Sequence, residues 1–261
     1  APASEKKNTD ILSADAINSL LPADFSGDII VLDVTESTNQ DAAKIVKTAP
    51  HGTTILADAQ TAGRGRLGRS FFAPSGGIYM SVILHLNLAF SDAVLITTAA
   101  SVAVCKAVEA VSSVRPQIKW VNDILVDGKK VCGISCEAVS AGETIDAVIL
   151  GIGINFSAQE FPKELQDTAG VLFSKPPISR NVLTAEILKN LLEETKDLAS
   201  RKFIEDYRMR SAVIGKPIRY LEAGVWHEAD AVGINENGGL VVLENDISKT
   251  LVSGEVTLRI K

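Results

Sequence analysis

The segment that decides the fold is TAGRGRLGRSFFAPSGG, residues 61–77, in which three arginines and three glycines fill six of the seven positions 63–69. Its first three glycines match the GxGxxG fingerprint of dinucleotide-binding folds. That fingerprint must open a helix, because the helix N-terminus receives the pyrophosphate. Here Pro74 and two further glycines follow, and an apolar, strand-like run comes next. A Rossmann fold is therefore not expected, and the segment is interpreted as a mobile loop that awaits an anion.

Composition limits the class of protein. The chain has 261 residues, of which 46% are apolar and 22% charged, so it should fold as one large domain or as a large and a small one. A net charge of −6 argues against a surface that binds nucleic acid as a whole. Three cysteines, an odd and sparse set, argue against a disulfide framework and favour a reducing compartment. We expect a cytoplasmic protein with no membrane segment, since polar residues interrupt the longest apolar run, 93–111.

The pattern of apolar runs predicts an α+β fold. Residues 28–34, 53–60, 77–88 and 144–156 are typical of buried strands, and residues 91–113 of a buried helix. Asp127-Gly128 is the sequence of a two-residue type I′ turn and predicts a hairpin over residues 123–139. Residues 179–209 are expected to be helical.

The texture of the chain changes near Ser211. From there on it shows only short strand-like runs separated by Gly and Asn turns. This pattern predicts a small β-barrel as a second domain, residues 211–261, after a first domain of residues 1–210.

The glycine-arginine loop has three possible interpretations. It could be a solvated basic linker, a nucleic-acid-binding segment, or a lid over a phosphorylated ligand. The adjacent Phe71 and Phe72 favour a lid, because they could be buried when the loop closes. Three further features are KWVND at 119–123, Lys130 just beyond the hairpin turn, and GIGIN at 151–155. Each alone favours a structural interpretation: a turn, a surface lysine, and close packing of backbones.

Taken together and in order, these motifs are far more specific. ESTNQDA at 36–42, the loop at 59–81, IKWVNDILVDGKKVCGI at 118–134 and GIGIN resemble biotin protein ligase, the enzyme that attaches biotin to carboxylases. The resemblance runs from about residue 34 to 156. It implies a class II synthetase-like, biotin–lipoate ligase fold, with a mixed sheet packed against helices and a small C-terminal SH3-like barrel.

The resemblance also implies the reaction and its residues. Biotin would be activated by ATP and Mg²⁺ to biotinyl-5′-AMP and then transferred to a lysine of a biotin carboxyl carrier domain. The biotin-binding positions carry over onto Ser37, Thr38, Asn39, Gln60, Arg64, Gly65, Arg66 and Lys130. Positions on the nucleotide and metal side carry over onto Lys119, Asn122, Asp123 and Asn155, with Arg66 shared by both sets, and no metal ligand is assigned.

The chemistry explains these residue types. Attack of a carboxylate on a phosphate brings two anions together, so Lys130, Arg66 and Arg64 are expected to neutralise them together with Mg²⁺. Asp123 is expected to act as general base or to orient the acceptor amine, although a turn residue or a magnesium contact stays open. Ser37, Thr38 and Gln60 would hydrogen-bond the ureido ring.

Two departures and several alternatives remain. Val121 stands where the family usually has Pro, and Phe71 where it usually has Trp. A lipoate or octanoate ligase of the same fold, or a non-enzymatic ligand- or nucleic-acid-binding module, is the alternative function. Only 36 residues precede Ser37, so we expect a ligase without the winged-helix domain of family members that repress transcription, and no DNA partner. The oligomeric state is left open, with a homodimer as one possibility.

Overall fold

Two β-sheets form the framework of the computed structural model, which describes residues 10–65 and 69–258. The larger sheet has seven strands in the order β1-β2-β3-β7-β6-β5-β4, with β1 parallel to β2 and the other neighbours antiparallel. Its strands are β1 (Ile29–Thr35), β2 (Thr54–Gln60), β3 (Ile78–Ala89), β4 (Gln117–Lys119), β5 (Asp123–Val126), β6 (Lys129–Ala141) and β7 (Thr144–Ile154). This mixed sheet with its helices is the predicted α+β fold.

The second sheet is antiparallel and lies at the C-terminal end of the chain. Its strand order is β11-β10-β9-β8-β12. The strands are β8 (Pro217–Glu222), β9 (Val225–Ile234), β10 (Leu240–Glu244), β11 (Ile247–Leu251) and β12 (Glu255–Leu258). Five short antiparallel strands agree with the predicted SH3-like architecture, while the division of the chain at residue 211 stays a prediction.

Five helices and three one-turn 3-10 helices complete the described part of the chain. The α-helices are α1 (Ala14–Leu20), α2 (Thr38–Ile45), α3 (Ala93–Val111), α4 (Arg180–Thr195) and α5 (Phe203–Met209). The 3-10 helices are Phe90–Asp92, Lys163–Leu165 and Leu198–Ser200. Helix α3 is long and apolar enough to cross a membrane by length and composition, but 72% of it is buried inside the protein, where it belongs to the main core.

The hairpin between β5 and β6 is confirmed. Asp127 and Gly128 both have positive φ, 50° and 76°, as a type I′ turn requires. The turn brings β6 back antiparallel to β5, so that Lys129 pairs with Val126 and Asp123, at the beginning of β5, pairs with Gly133. Residues that are ten apart in sequence thus become neighbours at one edge of the sheet.

The helical structure predicted over residues 179–209 is confirmed, and the chain divides it into two α-helices, α4 and α5. After α4 ends, the Asp197 side chain accepts a hydrogen bond from Ser200 N, and Arg201 adopts a left-handed conformation with φ of 53°. A continuous helix cannot pass through a left-handed residue. The break redirects α5 toward the KWVND turn at 119–123.

That turn is fixed by C-terminal elements of the chain. Trp120, which is buried, donates a hydrogen bond from Nε1 to the carbonyl oxygen of Gly238 in the β9–β10 turn, at 2.9 Å. The Tyr207 hydroxyl donates to the Val121 carbonyl oxygen at 3.0 Å. The peptide bond between Trp120 and Val121 is cis. Contacts from α5 and from the second sheet therefore position the segment that carries Asn122 and Asp123.

Candidate active site

A cavity lies over the middle of the larger sheet, where the ends of β1 and β2 meet β6 and β7. Most of the predicted biotin-binding residues line it, although they come from four separate segments of the chain. The lining includes Ser37, Thr38, Asn39, Gln60, Arg64, Gly65, Phe71, Tyr79, Asn122, Lys130, Ser135 and Gly153. Arg66 is the predicted member that lies outside the described residues.

One end of the cavity is neutral and polar. Ser37, Thr38 and Asn39 are buried at the start of α2. The Thr38 backbone N–H donates to Gln60 Oε1 at 2.9 Å. A backbone N–H can only donate, so this contact fixes the orientation of the Gln60 amide and directs its Nε2 elsewhere. Ser81 on β3 joins the network through contacts of its hydroxyl with Thr38 Oγ1 and Asn39 Oδ1.

Glycines on β6 and β7 make room for this end of the cavity and for the aromatic ring above it. Gly133 and Gly153 are paired across the two strands. A Cβ atom at Gly153 would lie only 2.7 Å from Cε1 of Phe71. A Cβ atom at Gly151 would lie 2.6 Å from Asn39 Oδ1 and 2.6 Å from Ser135 Oγ. The strand glycines of the GIGIN motif are thus required by the close approach of side chains rather than of another backbone.

Phe71 limits the size of the cavity. Its ring lies against Gly153 and meets the Tyr79 ring edge to face, with centroids 6.2 Å apart. The enclosed volume is about 50 Å³, well below the ~300–1,000 Å³ of typical small-molecule sites. In this conformation Phe71 therefore forms a wall that leaves less space than small-molecule ligands usually occupy.

The described ends of the glycine-arginine loop form a short hairpin. Gly65 N donates to the Arg69 carbonyl oxygen at 2.7 Å, and Phe71 N donates to the Gly63 carbonyl oxygen at 2.8 Å. Arg64 and Ser70 pair as an antiparallel bridge between them. The loop leads into β3 rather than into a helix, which confirms that the GxGxxG match is not a Rossmann fingerprint. Its predicted mobility stays a prediction.

The base of the loop is anchored by an ion pair between the buried Arg180 and the partly exposed Asp58. Arg180, with a side chain only 3% exposed, lies 2.6 Å from Asp58 and also donates to the Gly77 carbonyl oxygen at 2.8 Å. Asp58 accepts further hydrogen bonds from the Ser75 hydroxyl and from Gly76 N. Burial alone would raise the pKa of Asp58, but the hydrogen bonds from Ser75, Arg180 and Gly76 N, together with the charge of Arg180, hold it below the usual value.

The other end of the cavity is cationic. Lys130 lines it, and its Nζ lies 2.8 Å from Asp123 Oδ1. Lys119 approaches the other oxygen of the same carboxylate at 3.6 Å. Asn122 is held by a 2.5 Å hydrogen bond from its Nδ2 to the Ile134 carbonyl oxygen. The lysine that could pass for a surface residue in the sequence thus lies in the cavity wall.

A second cleft of about 140 Å³ adjoins this cationic end. It shares Gly65, Phe71, Asn122 and Lys130 with the first cavity and adds Arg69, Lys119, Asp123, Gly254 and Val256. Asp123 is the one carboxylate that lines either space among the described residues. Within the same part of the chain, no group of three His, Cys, Asp or Glu side chains could hold a metal ion.

Asn155 is placed differently from the other predicted residues. It is buried at the end of β7, and its Nδ2 donates to the Gly170 carbonyl oxygen at 3.0 Å. It does not line either of the two spaces. In this conformation Asn155 fastens the segment around Gly170 to the sheet, and its predicted nucleotide contact stays a prediction.

The sequence interpretation missed several wall residues. Tyr79 and Ser135 line the cavity from β3 and β6, and Ser81 on β3 contacts the lining residues Thr38 and Asn39. The sequence showed all three only as parts of apolar strands. The one available signal was a polar residue within an apolar strand, as in the runs around Ser81 and Ser135. A hydroxyl that is buried in a strand needs a partner, and here the partners are the side chains of the cavity.

Comparisons with known proteins agree with this geometry. Residues 31–155 match the model of the biotin/lipoate A/B protein ligase family. A bifunctional ligase/repressor BirA from Bacillus spizizenii is 34% identical over 242 residues, which cover 88% of this chain and 74% of that protein. A biotin–[acetyl-CoA-carboxylase] ligase from Paracoccus denitrificans is 28% identical, over 80% of this chain and 91% of its own length.

The fold is also similar to solved structures of biotin protein ligases. A biotin protein ligase from Aquifex aeolicus in complex with biotin and ATP superposes with a TM-score of 0.76 and 29% identity. The match covers 91% of this chain and all of that one. Fold, site and relatives agree, and the chain belongs to the biotin protein ligases of the biotin/lipoate A/B protein ligase family.

Proposed function

We propose that this protein activates biotin with ATP to biotinyl-5′-AMP and transfers the biotinyl group to a lysine of a biotin carboxyl carrier domain. The observation that carries the proposal is the polarity of one cavity, which is neutral and polar at Ser37, Thr38 and Gln60 and cationic at Lys130. Biotin has the matching polarity, with a neutral ureido ring at one end and a carboxylate at the other.

The neutral end suits the ureido ring. This ring presents one carbonyl oxygen and two N–H groups, so it needs both donors and acceptors without net charge. Gln60 has its amide fixed by Thr38 N, which leaves its Nε2 as a donor for the ureido oxygen. The hydroxyls of Ser37 and Thr38, both buried, supply the remaining partners.

The cationic end suits the activation step. A carboxylate oxygen of biotin attacks the α-phosphorus of ATP, the new oxygen–phosphorus bond forms, and pyrophosphate leaves. Lys130 and Arg64 line the cavity, and positive charge there offsets the repulsion between the two anions. Arg66 belongs to the same motif and is proposed for the phosphates because guanidinium groups donate two parallel hydrogen bonds.

We assign the nucleotide to the second cleft, which begins at Lys130 and contains Lys119, Asn122 and Asp123. Mg²⁺ usually takes one or two carboxylates and completes its shell with phosphate oxygens and water. Asp123 fits as the single protein carboxylate of such a shell. The magnesium ion would supply charge neutralisation at the phosphates.

In the transfer step the acceptor lysine nitrogen attacks the acyl carbon of the adenylate, AMP leaves, and the nitrogen loses a proton. Asp123 already contacts two ammonium groups, those of Lys130 and Lys119. This geometry favours Asp123 as the residue that orients the acceptor amine, and the magnesium contact described above is the alternative role of the same carboxylate. Its contribution as a proton acceptor is a second alternative.

The three cysteines support a cytoplasmic location, because they are free thiols and because such thiols persist in a reducing compartment. Burial raises the pKa of Cys136 to about 12, with a smaller contribution from the nearby charge of Glu137.

The function is tested by pyrophosphate release after mixing the protein with ATP, Mg²⁺ and biotin, with lipoate and octanoate in parallel. Pyrophosphate release is expected with biotin but not with lipoate or octanoate. A carrier domain added afterwards should gain the biotinyl mass on one lysine, and its Lys→Arg form should not. Release with lipoate but not with biotin would overturn the proposal in favour of a lipoate ligase.

A further inference from the structure

Glu137 lies on β6 outside the cavity described above, yet it is one hydrogen bond away from it. The residue is exposed, and it faces a neighbouring cleft between β6 and the start of α3. Its Oε1 accepts a hydrogen bond from Nδ2 of the buried Asn39 at 2.7 Å. No step of the proposed reaction uses Glu137, so this contact calls for an explanation of its own.

The carboxylate decides which way the Asn39 amide faces. A carboxylate accepts hydrogen bonds and cannot donate, so the Asn39 atom beside it must be the nitrogen. The same Nδ2 lies 3.3 Å from Ser135 Oγ. The amide oxygen is then turned toward the Ser81 hydroxyl, at 2.6 Å. Gly151 leaves the space in which this amide fits.

The orientation of the Asn39 amide determines the direction in which each neighbouring hydroxyl donates its hydrogen. Ser81 has one hydrogen, and the amide oxygen of Asn39 takes it. Thr38 Oγ1 lies 2.7 Å from Ser81 Oγ and 3.2 Å from Gln60 Oε1. Its one hydrogen is used within this network, so Thr38 can offer only a lone pair to a ligand. Ser135 accepts from Asn39 Nδ2, so its own hydrogen is free to point into the cavity that it lines.

We propose that Glu137 is a positioning residue that fixes the donor–acceptor polarity of the ureido site through Asn39. With the carboxylate present, Gln60 Nε2 and the Ser135 hydroxyl donate while Thr38 accepts. This pattern matches a ureido group, whose oxygen accepts and whose nitrogens donate. A reversed Asn39 amide would take the Ser135 hydrogen and would turn Ser135 from a donor into an acceptor. The inference rests on the proposed binding of biotin in this cavity.

Glu137→Gln tests the proposal, because the new side chain can donate as well as accept and no longer forbids the reversed amide. Binding of two ligands is measured by titration calorimetry: biotin, and 2-iminobiotin at a pH at which its guanidino group is protonated. In the second ligand a donor replaces the ureido oxygen. Glu137→Gln should weaken the binding of biotin by about three- to tenfold, and the affinity for 2-iminobiotin should stay the same or increase. The preference for biotin should therefore shrink.

Two controls separate polarity from structural damage. Glu143→Gln removes the same charge from the same β6–β7 hairpin, at an exposed residue outside the network, and should keep the wild-type preference. In a Ser135→Ala background, Glu137→Gln should have no further effect on the preference, since the switching hydroxyl is gone. Thermal melting should show equal folding of all variants.

The outcomes are distinct. An equal loss of both ligands in Glu137→Gln, or no change in either, would overturn the role of Glu137 while the proposed function stands. A persistent effect of Glu137→Gln in the Ser135→Ala background would also overturn it. Wild-type protein that fails to bind biotin would refute the proposed function and this inference with it.

Discussion

Gly153→Ala should open the glycine-arginine loop by pushing Phe71 away from the sheet. Gly153 is paired with Tyr79 on one side and Gly133 on the other, so its backbone cannot retreat. It is not among the glycines with positive φ, and alanine therefore meets no backbone penalty at this position. Any cost of the substitution must come from the ring above it.

The magnitude follows from the contact distances. The new methyl carbon would lie 2.7 Å from Phe71 Cε1 and 2.8 Å from Cζ, whereas carbon atoms in contact prefer ~3.5–4.0 Å. Overpacking of this kind costs about 1–3 kcal/mol. Phe71 is carried by a loop and is only half-buried, so its ring can move away from the new methyl group. The free-energy cost of the substitution is then at most the packing energy that the ring loses when it moves. That loss is about half of the ~1.5–3 kcal/mol for a fully buried side chain.

A loss of about 1 kcal/mol should raise the open population, and with it the trypsin cleavage rate within residues 63–69, roughly fivefold. Gly233→Ala is the matched control, since no atom lies within 4 Å of a Cβ at that strand glycine, and it should leave cleavage unchanged. In a Phe71→Ala background Gly153→Ala should add nothing. An equal increase in both backgrounds would refute the steric argument.

Three other outcomes are expected. Lys130→Ala should lower biotin-dependent pyrophosphate release by about 100-fold or more. Lys129→Ala should retain activity, because the Lys129 ammonium group donates to the Gln166 carbonyl oxygen and not into the cavity. Similar rates for the two variants would contradict the role assigned to Lys130. Biotin plus ATP should slow trypsin cleavage within residues 63–69, and equal cleavage with and without ligands would indicate a passive linker. Asp58 has a lowered pKa, so its stabilising effect is present above the ordinary value of 3.8 and disappears as the pH falls. Urea denaturation should therefore show Asp58→Asn less stable than wild type at neutral pH, with a smaller difference in acid; a constant difference would argue against the Arg180 pair.

The sequence was informative where function depends on neighbours along the chain. The Asp127-Gly128 turn follows from local backbone preference, and the KWVND and GIGIN motifs mark segments in which several functional residues are consecutive. Lys130 was placed in the site by the family resemblance, because its position beyond the hairpin turn alone favoured a surface lysine. These features need no knowledge of how distant strands pair.

The rest depends on register between distant strands. Ser81 and Ser135 meet Asn39 only because β3 and β6 both flank β7, and no local pattern encodes that arrangement. The break at Arg201 within the predicted helical stretch could not be located, because the apolar spacing continues across it. Asn155 was assigned from its motif, and its hydrogen bond to a loop carbonyl could not be foreseen.

The buried hydrogen bond between Trp120 and the β9–β10 turn makes the C-terminal sheet a structural support of the second cleft. Gly254 and Val256, near the end of the described chain, close the same cleft from the far side. A fragment that stopped before β8 would lose one wall of the cleft proposed for the nucleotide, together with the Trp120–Gly238 hydrogen bond that supports the turn carrying Asp123. A shortened version of this enzyme should therefore keep the C-terminal strands and lose residues only from exposed loops.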